Sequence, residues 1–389
     1  MAEYLFSFIE KYSLAFLQFI TTLFISRYFG VESLGMIAAF SLIVAVATVL
    51  SEAGSSYIIM GSTTDLAVNI YISLIFSLGS SLVFYAVIYW LSSFYLMNLG
   101  ESNHYELALQ GYALIVIVNP IQLITYAGLI KLERTRSLVI INLIAWSVSF
   151  TVLYYLSLSD NRTHEIVVVY FVILSFLRSL IGLIVLIRII GFVKLHFSKL
   201  RVSYRISLIA SQIIHTISSN IWTYMVAIFV SIEANAILAV FTKVRDLVSG
   251  NLSHAIHRVV YTRLPSIHES RLKNYRLLWL RRFALLNTII LASLYIARNV
   301  ILEVFNVNWT LDLDVFILFP LGVGLLYPLT DFMKSLIRFD NQRTVLLVDS
   351  IVLLTILVMF IVGSPIMLSM SIYLLVMLLS GIYILRRVV

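Results

Sequence analysis

The sequence predicts an all-α polytopic membrane protein of twelve transmembrane helices, set in two six-helix bundles related by a pseudo-two-fold along the membrane normal. Three observations carry that expectation. Hydrophobic residues make up 61% of the 389 and charged residues 12%, more apolar side chain than a water-soluble core could bury. The apolar runs last about 20 residues, enough for a helix to cross the roughly 30 Å hydrocarbon layer, and they lack the period-two alternation of a membrane barrel. A basic turn occurs twice, as LIKLERTRSLVIIN at Leu129–Asn142 and LIRFDNQRTVLLVD at Leu336–Asp349, an offset of 207 residues.

The spans fall in order at 8–29, 34–60, 67–96, 105–130, 137–157, 165–187, 205–229, 236–257, 280–301, 312–333, 344–363 and 365–385. The first lacks a basic n-region and a small-residue cleavage site, so it reads as a retained helix rather than a signal peptide. Pro120 is expected to break and kink span four, and Pro320 span ten. The basic turn joins span four to five and, in its second copy, ten to eleven. A second match, VESLGMIAAF at Val31–Phe40 against IEANAILAVF at Ile232–Phe241, has nearly the same offset, 201, which suggests an internal duplication. The expected domains are residues 1–190, a basic cytoplasmic linker 191–204, and residues 205–389. Spans three, nine and twelve look nearly featureless and are expected to face lipid.

Charge sets the orientation. With the N-terminus in the cytoplasm, 21 of the 27 basic residues fall in inside segments and three outside, Arg27, Arg162 and Arg298; Arg178, Lys243 and Arg245 sit within spans. The positive-inside rule then puts both termini in the cytoplasm. The net charge of +8 is a topology signal with anionic lipid headgroups of the bilayer as its partner, not a nucleic-acid signal. The absence of cysteine excludes disulfides and thiolate chemistry. No phosphate-binding glycine loop is present, which argues against ATP as a direct energy source. The outer loops are short, which argues against a membrane polysaccharide polymerase or ligase.

Polar groups at membrane depth are costly and usually face protein or water. Span two carries Ser41, Thr48, Glu52 and Ser55 on one face, span seven Ser211, His215, Ser218 and Trp222, span eight Lys243, Asp246, Gly250, His254 and His257, and span one Gln18, Thr21, Thr22 and Arg27. One reading is a central hydrophilic cavity lined by spans one, two, seven and eight. The other is helix–helix glue, which suits the Ser and Thr residues. Lys243 and Asp246 at i,i+3 could neutralise one another, Arg27 could reach headgroup phosphates, and the histidines could carry protons or simply pack. Arg178 could pair with Asp160 or Glu165. The candidate substrate-binding residues are Arg27, Glu52, Gln212, His215, Lys243, Arg245 and Asp246. Cations in a wet, low-dielectric site favour an anionic ligand, one or two phosphates above all.

The stretch ISRYFGVESLGMIAAFSLIVAVATVLSEAG, Ile25–Gly54, resembles the opening of the Wzx-type O-antigen and polysaccharide flippases of the multidrug/oligosaccharidyl-lipid/polysaccharide exporter superfamily. Ser26, Arg27, Gly30, Glu32 and Gly35 match the turn between the first two helices, and Glu52 and Gly54 a later acidic-x-Gly; VFTKVRDL and TRLPSIHE, with Pro265, resemble the second-half motif. The charge group of span eight is denser than the family pattern, and the chain is short for the family. The resemblance implies a flippase, not an enzyme. It would move an undecaprenyl-pyrophosphate-linked oligosaccharide from the cytoplasmic to the periplasmic leaflet of the bacterial inner membrane by alternating access. It further implies a polysaccharide polymerase and a chain-length regulator as partners. No cofactor is expected; coupling to a proton or sodium gradient through Glu52, Asp246 or a histidine stays open. A small-molecule exporter of the same fold is the alternative.

Overall fold

Inside a bilayer the backbone has no water to bond with, so an apolar chain satisfies its peptide groups within itself, as helix. The computed structural model describes residues 2–61, 66–97, 105–159, 163–191, 202–250, 269–307, 314–337, 350–352, 354–355, 358 and 365–388, and every regular element among them is helical. They are α1 (Ala2–Phe29), α2 (Val31–Glu52), α3 (Ser55–Gly61), α4 (Leu66–Met97), α5 (Glu106–Ala113), α6 (Ile115–Lys131), α7 (Thr135–Ser157), α8 (His164–Ile190), α9 (Val202–Phe229), α10 (Ile232–Arg245), a π-helical segment (Asp246–Gly250), α11 (Glu269–Ile296), α12 (Arg298–Val304), α13 (Asp314–Ile337) and α14 (Ile366–Val388). Among the described residues, six stretches are long and apolar enough to cross a membrane: α2, α4, α5 with α6, α7, α8 and most of α11. The chain is a multi-pass membrane protein. Residues 192–201 of the expected linker, 251–257 of span eight with His254 and His257, most of span eleven, and the second basic turn from 338 onward lie outside the described residues.

The chain divides into two compact units, Met1–Ile228 and Phe229–Val389. Most of α9, with which the sequence reading opened the second half, groups with the first unit. Tyr224 stacks on Tyr95 of α4 with ring centroids 4.7 Å apart, and Thr223 donates to the Ala38 carbonyl of α2 at 3.1 Å.

Within the first unit, small residues set the close approaches. A Cβ on Gly128 of α6 would stand 3.1 Å from Leu186 of α8, and one on Gly182 of α8 would stand 3.1 Å from the Thr125 hydroxyl. Both allow helices to meet at short range. Thr21 ties three helices: its hydroxyl donates to the Leu17 carbonyl, accepts the Trp146 indole N–H at 2.9 Å and lies 3.1 Å from the Tyr170 hydroxyl. Thr22 donates to the Gln18 carbonyl. Thr21 is thus glue between helices, whereas Thr22 bonds within α1.

Two expectations change. Span four is interrupted at Leu114, where the Leu114 N–H tightens onto the Gly111 carbonyl, while α6 runs through Pro120; α13 likewise runs through Pro320. Arg178 cannot pair with Glu165, because both belong to α8 and lie 13 residues apart, about 20 Å along the axis. Asp160, its other suggested partner, lies outside the described residues.

The basic turn closes on itself. At the end of α6 the Arg134 N–H bonds the Leu129 carbonyl at 2.8 Å and the Glu133 N–H bonds the Ile130 carbonyl at 3.0 Å, with Glu133 left-handed at φ 57°. This is a Schellman cap with glutamate where glycine is favoured. Lys131 reaches across to the Met60 carbonyl near the end of α3 at 3.0 Å. Relieving the left-handed Cβ should stabilise the turn: Glu133→Gly is expected to gain about 1 kcal/mol, read as a higher unfolding midpoint of the purified protein in detergent.

Candidate functional site

In the second unit the charge group of span eight comes at the end of α10. Ser231 caps that helix, its hydroxyl accepting the Ala234 N–H at 3.0 Å. Ala236, Ile237, Val240, Phe241 and Val244 are buried, and α10 packs on α13. That leaves Lys243, Arg245 and Asp246 at the carbonyl end of the helix, where the macrodipole favours cations. The backbone there loosens from α into the π segment, a local widening that recurs at functional sites.

The three charges divide their work. Arg245 is mostly covered, its side chain 17% exposed, and its Nε and Nη2 both donate to Asp246 Oδ1, at 2.9 and 2.6 Å. Its Nη1 donates to the Pro320 carbonyl of α13 at 3.3 Å. Arg245 therefore fastens α10 to α13 while Asp246 neutralises it. The sequence alternative set Lys243 against Asp246; the structure pairs Asp246 with Arg245 instead, and guanidinium geometry accounts for the choice, since two of its donors reach one oxygen. Lys243 is exposed and makes no ion pair among the described residues. At this end of α10 it is the cation available to a ligand.

The first-unit candidates do not meet. Arg27 is exposed in the last turn of α1, and Glu52 is buried at the far end of α2, 21 residues beyond the helix start, so about 30 Å of helix separates them. Glu52 sits where span two breaks: Ala53 and Gly54 are left-handed, at φ 51° and 70°, and α3 starts at Ser55. One oxygen of its carboxylate accepts both the Ser56 N–H, at 2.6 Å, and the Ser56 hydroxyl. Gln212 and His215 are on α9, and their side chains lie outside the described residues.

The sequence reading missed two features. α4 is not featureless: its outer face carries exposed Phe76, Val83, Trp90 and Phe94, but Ser73, Ser77, Ser81 and Ser92 are fully buried on another face. Their spacing of 4, 4 and 11 residues is a helical one and was there to be read. The other is an apolar cavity of about 350 Å³ in the first unit, lined by Leu42, Val46 and Leu50 of α2, Phe84 and Leu91 of α4, and Ile217 of α9.

Comparison with known proteins places this geometry. A family model described as polysaccharide biosynthesis protein matches residues 24–311, a region that contains Ile25–Gly54 and the charge group of α10. No curated protein sequence matches. Among solved structures, the chain is similar to the lipid II flippase MurJ in an inward closed conformation, with a TM-score of 0.70 at 16% identity over 99% of this chain and 87% of that one. It is also similar to an inward-facing multidrug resistance MATE family transporter of the MOP superfamily, with a TM-score of 0.59 at 14% identity over 97% and 94%. A MOP superfamily transporter from Pyrococcus furiosus, whose binding pocket is described as of reverse polarity, gives a TM-score of 0.56 at 13% identity over 98% and 92%. At these identities the likeness is one of fold.

The two cations of α10 should separate on substitution. Arg245→Ala is expected to cost about 1–3 kcal/mol, the worth of a charged hydrogen bond to a carbonyl plus a partly exposed pair, whereas Lys243→Ala should stay within about 0.5 kcal/mol of the unaltered protein. Unfolding midpoints in detergent check both.

Proposed function

The chain belongs to the family of polysaccharide biosynthesis proteins, and from that premise we propose that it is a flippase for a lipid-linked oligosaccharide. The observation that carries the reading is Lys243, an exposed cation at the π junction of α10, where the other cation is already neutralised. A single ammonium suits one phosphate group better than a long polyanion. The cargo we assign is an undecaprenyl-pyrophosphate-linked repeat unit of O-antigen or a related polysaccharide, moved from the cytoplasmic to the periplasmic leaflet by alternating access. The fold shared with a structure described as a lipid II flippase supports a lipid-linked cargo. Arg27, Gln212, His215 and Asp246 are the further candidates that the sequence offers for contact with the cargo.

The skew of basic residues toward alternate loops supports an inner-membrane protein with both termini cytoplasmic. Translocation of this kind makes and breaks no bonds, so no catalytic residue is assigned. The MATE transporters of similar fold favour a second reading, a small-molecule exporter. A cation at the site disfavours positively charged compounds.

In the host, Lys243→Ala is expected to lower surface polysaccharide several-fold with protein abundance unchanged, checked by quantifying both. Disruption of the gene should leave lipid-linked repeat units on the cytoplasmic leaflet. Unpolymerised units on the outer leaflet would point to a polymerase instead, and unchanged polysaccharide to an exporter.

A further inference from the structure

We propose that the break between α2 and α3 is a binding site for a small monovalent cation, held by the Glu52 carboxylate together with buried hydroxyls of α2, α3 and α4. Glu52 is 1% exposed, and among the described residues no cation pairs with it. Its donors there are the N–H and hydroxyl of Ser56, both on the same oxygen. It also stands at the carbonyl end of α2, where the macrodipole opposes negative charge. A carboxylate so placed in a membrane protein calls for a positive charge.

The hydroxyls around it give the second, independent sign. A serine in a membrane helix ordinarily donates to a carbonyl three or four residues back, as Ser26, Ser33, Ser41, Ser81 and Ser92 do here. Thr48, Ser51, Ser55, Ser73 and Ser77 do not: each hydroxyl is buried and without a partner among the described residues. Three of them, Thr48, Ser51 and Ser55, lie within four residues of Glu52 in the chain. Thr48 stands at i−4 from Glu52 on the same face of α2, and Ser55 opens α3 just past the left-handed break. The Ser80 hydroxyl donates to the Ser51 carbonyl at 2.8 Å, which fixes α4 beside α2 at that point. Ile88 clusters with Ile43 further out and Leu74 with Ile59 further in, so the two helices run antiparallel. Ser77, one turn from Ser80, then comes level with Gly54 at the break, and Ser73 follows one turn on.

The donor set chooses the ligand. It offers oxygen alone, which suits hard cations. It carries one formal negative charge, where divalent sites use several carboxylates, so a monovalent ion fits. A proton on Glu52 would settle the charge but leave five hydroxyls without partners. The site rests on first-unit geometry and not on the identity of the cargo.

The test is the unfolding midpoint of the purified full-length protein in detergent, in sodium, potassium or choline chloride at equal ionic strength. Choline is too large to enter. Sodium or potassium is expected to raise the midpoint saturably by roughly 2–5 °C over choline. Glu52→Gln should abolish the rise, and Ser77→Ala should raise the half-saturating concentration about tenfold. Equal midpoints of the unaltered protein in all three salts would overturn the proposal. So would a midpoint that follows pH and ignores both alkali cations, which would assign a proton to the site. If Glu52→Gln does not fold, the salt comparison and Ser77→Ala decide alone. Loss of polysaccharide export plays no part in the readout, so failure here leaves the flippase reading standing.

Discussion

A helix end leaves backbone groups that protein must close wherever water is scarce, and four helix ends among the described residues show how it is done. The α6–α7 turn closes by a Schellman cap, with Lys131 reaching on to Met60. The end of α12 closes in the same way: the Val307 N–H bonds the Leu302 carbonyl, the Asn306 N–H bonds the Glu303 carbonyl, and Asn306 is left-handed at φ 54°. The α2–α3 break recruits a side chain, since the Ser56 N–H goes to the Glu52 carboxylate. Where α10 ends, the backbone widens into a π segment, and Arg245 ties the junction to the Pro320 carbonyl. Three of these four closures use charged side chains, and two of the three, Glu52 and Arg245, are candidates for ligand contact by sequence.

This explains why charges in the spans are a poor guide to function until their partners are known. Arg245 and Lys243 are two residues apart and equally basic in sequence. The guanidinium, with five donors in a planar fork, spends three of them on Asp246 and Pro320. The ammonium has no such fork and is left at the surface. Arg178, Glu52 and Arg245 are all largely covered, while Arg27 and Lys243 are exposed.

The class of the protein and the position of its helices were legible because lipid imposes a simple rule on composition and run length. The helix interruptions were less so. Pro120 drew attention as a breaker, yet a proline missing one N–H in a packed helix is tolerated, and the chain broke at Leu114, which has no local signature. The family was readable from Ile25–Gly54, which lies inside the matched region. The division of labour at α10 was not readable, because the hold of Arg245 on the Pro320 carbonyl of α13 is a contact across 75 residues. The serines of α4 were visible but were outweighed by the surrounding apolar residues, which face outward.

The two segments that match at offset 201 part company straight after the match. VESLGMIAAF is followed by SLIVAV, and IEANAILAVF by TKVRDL. The positions of Lys243, Arg245 and Asp246 thus correspond to Leu42, Val44 and Ala45. In the first unit that stretch lines the apolar cavity with Leu42 and Val46; in the second it presents a cation beside a neutralised pair. An equal duplication would have produced two like surfaces. The two matching stretches therefore end in unlike chemistry, apolar in the first unit and cationic in the second.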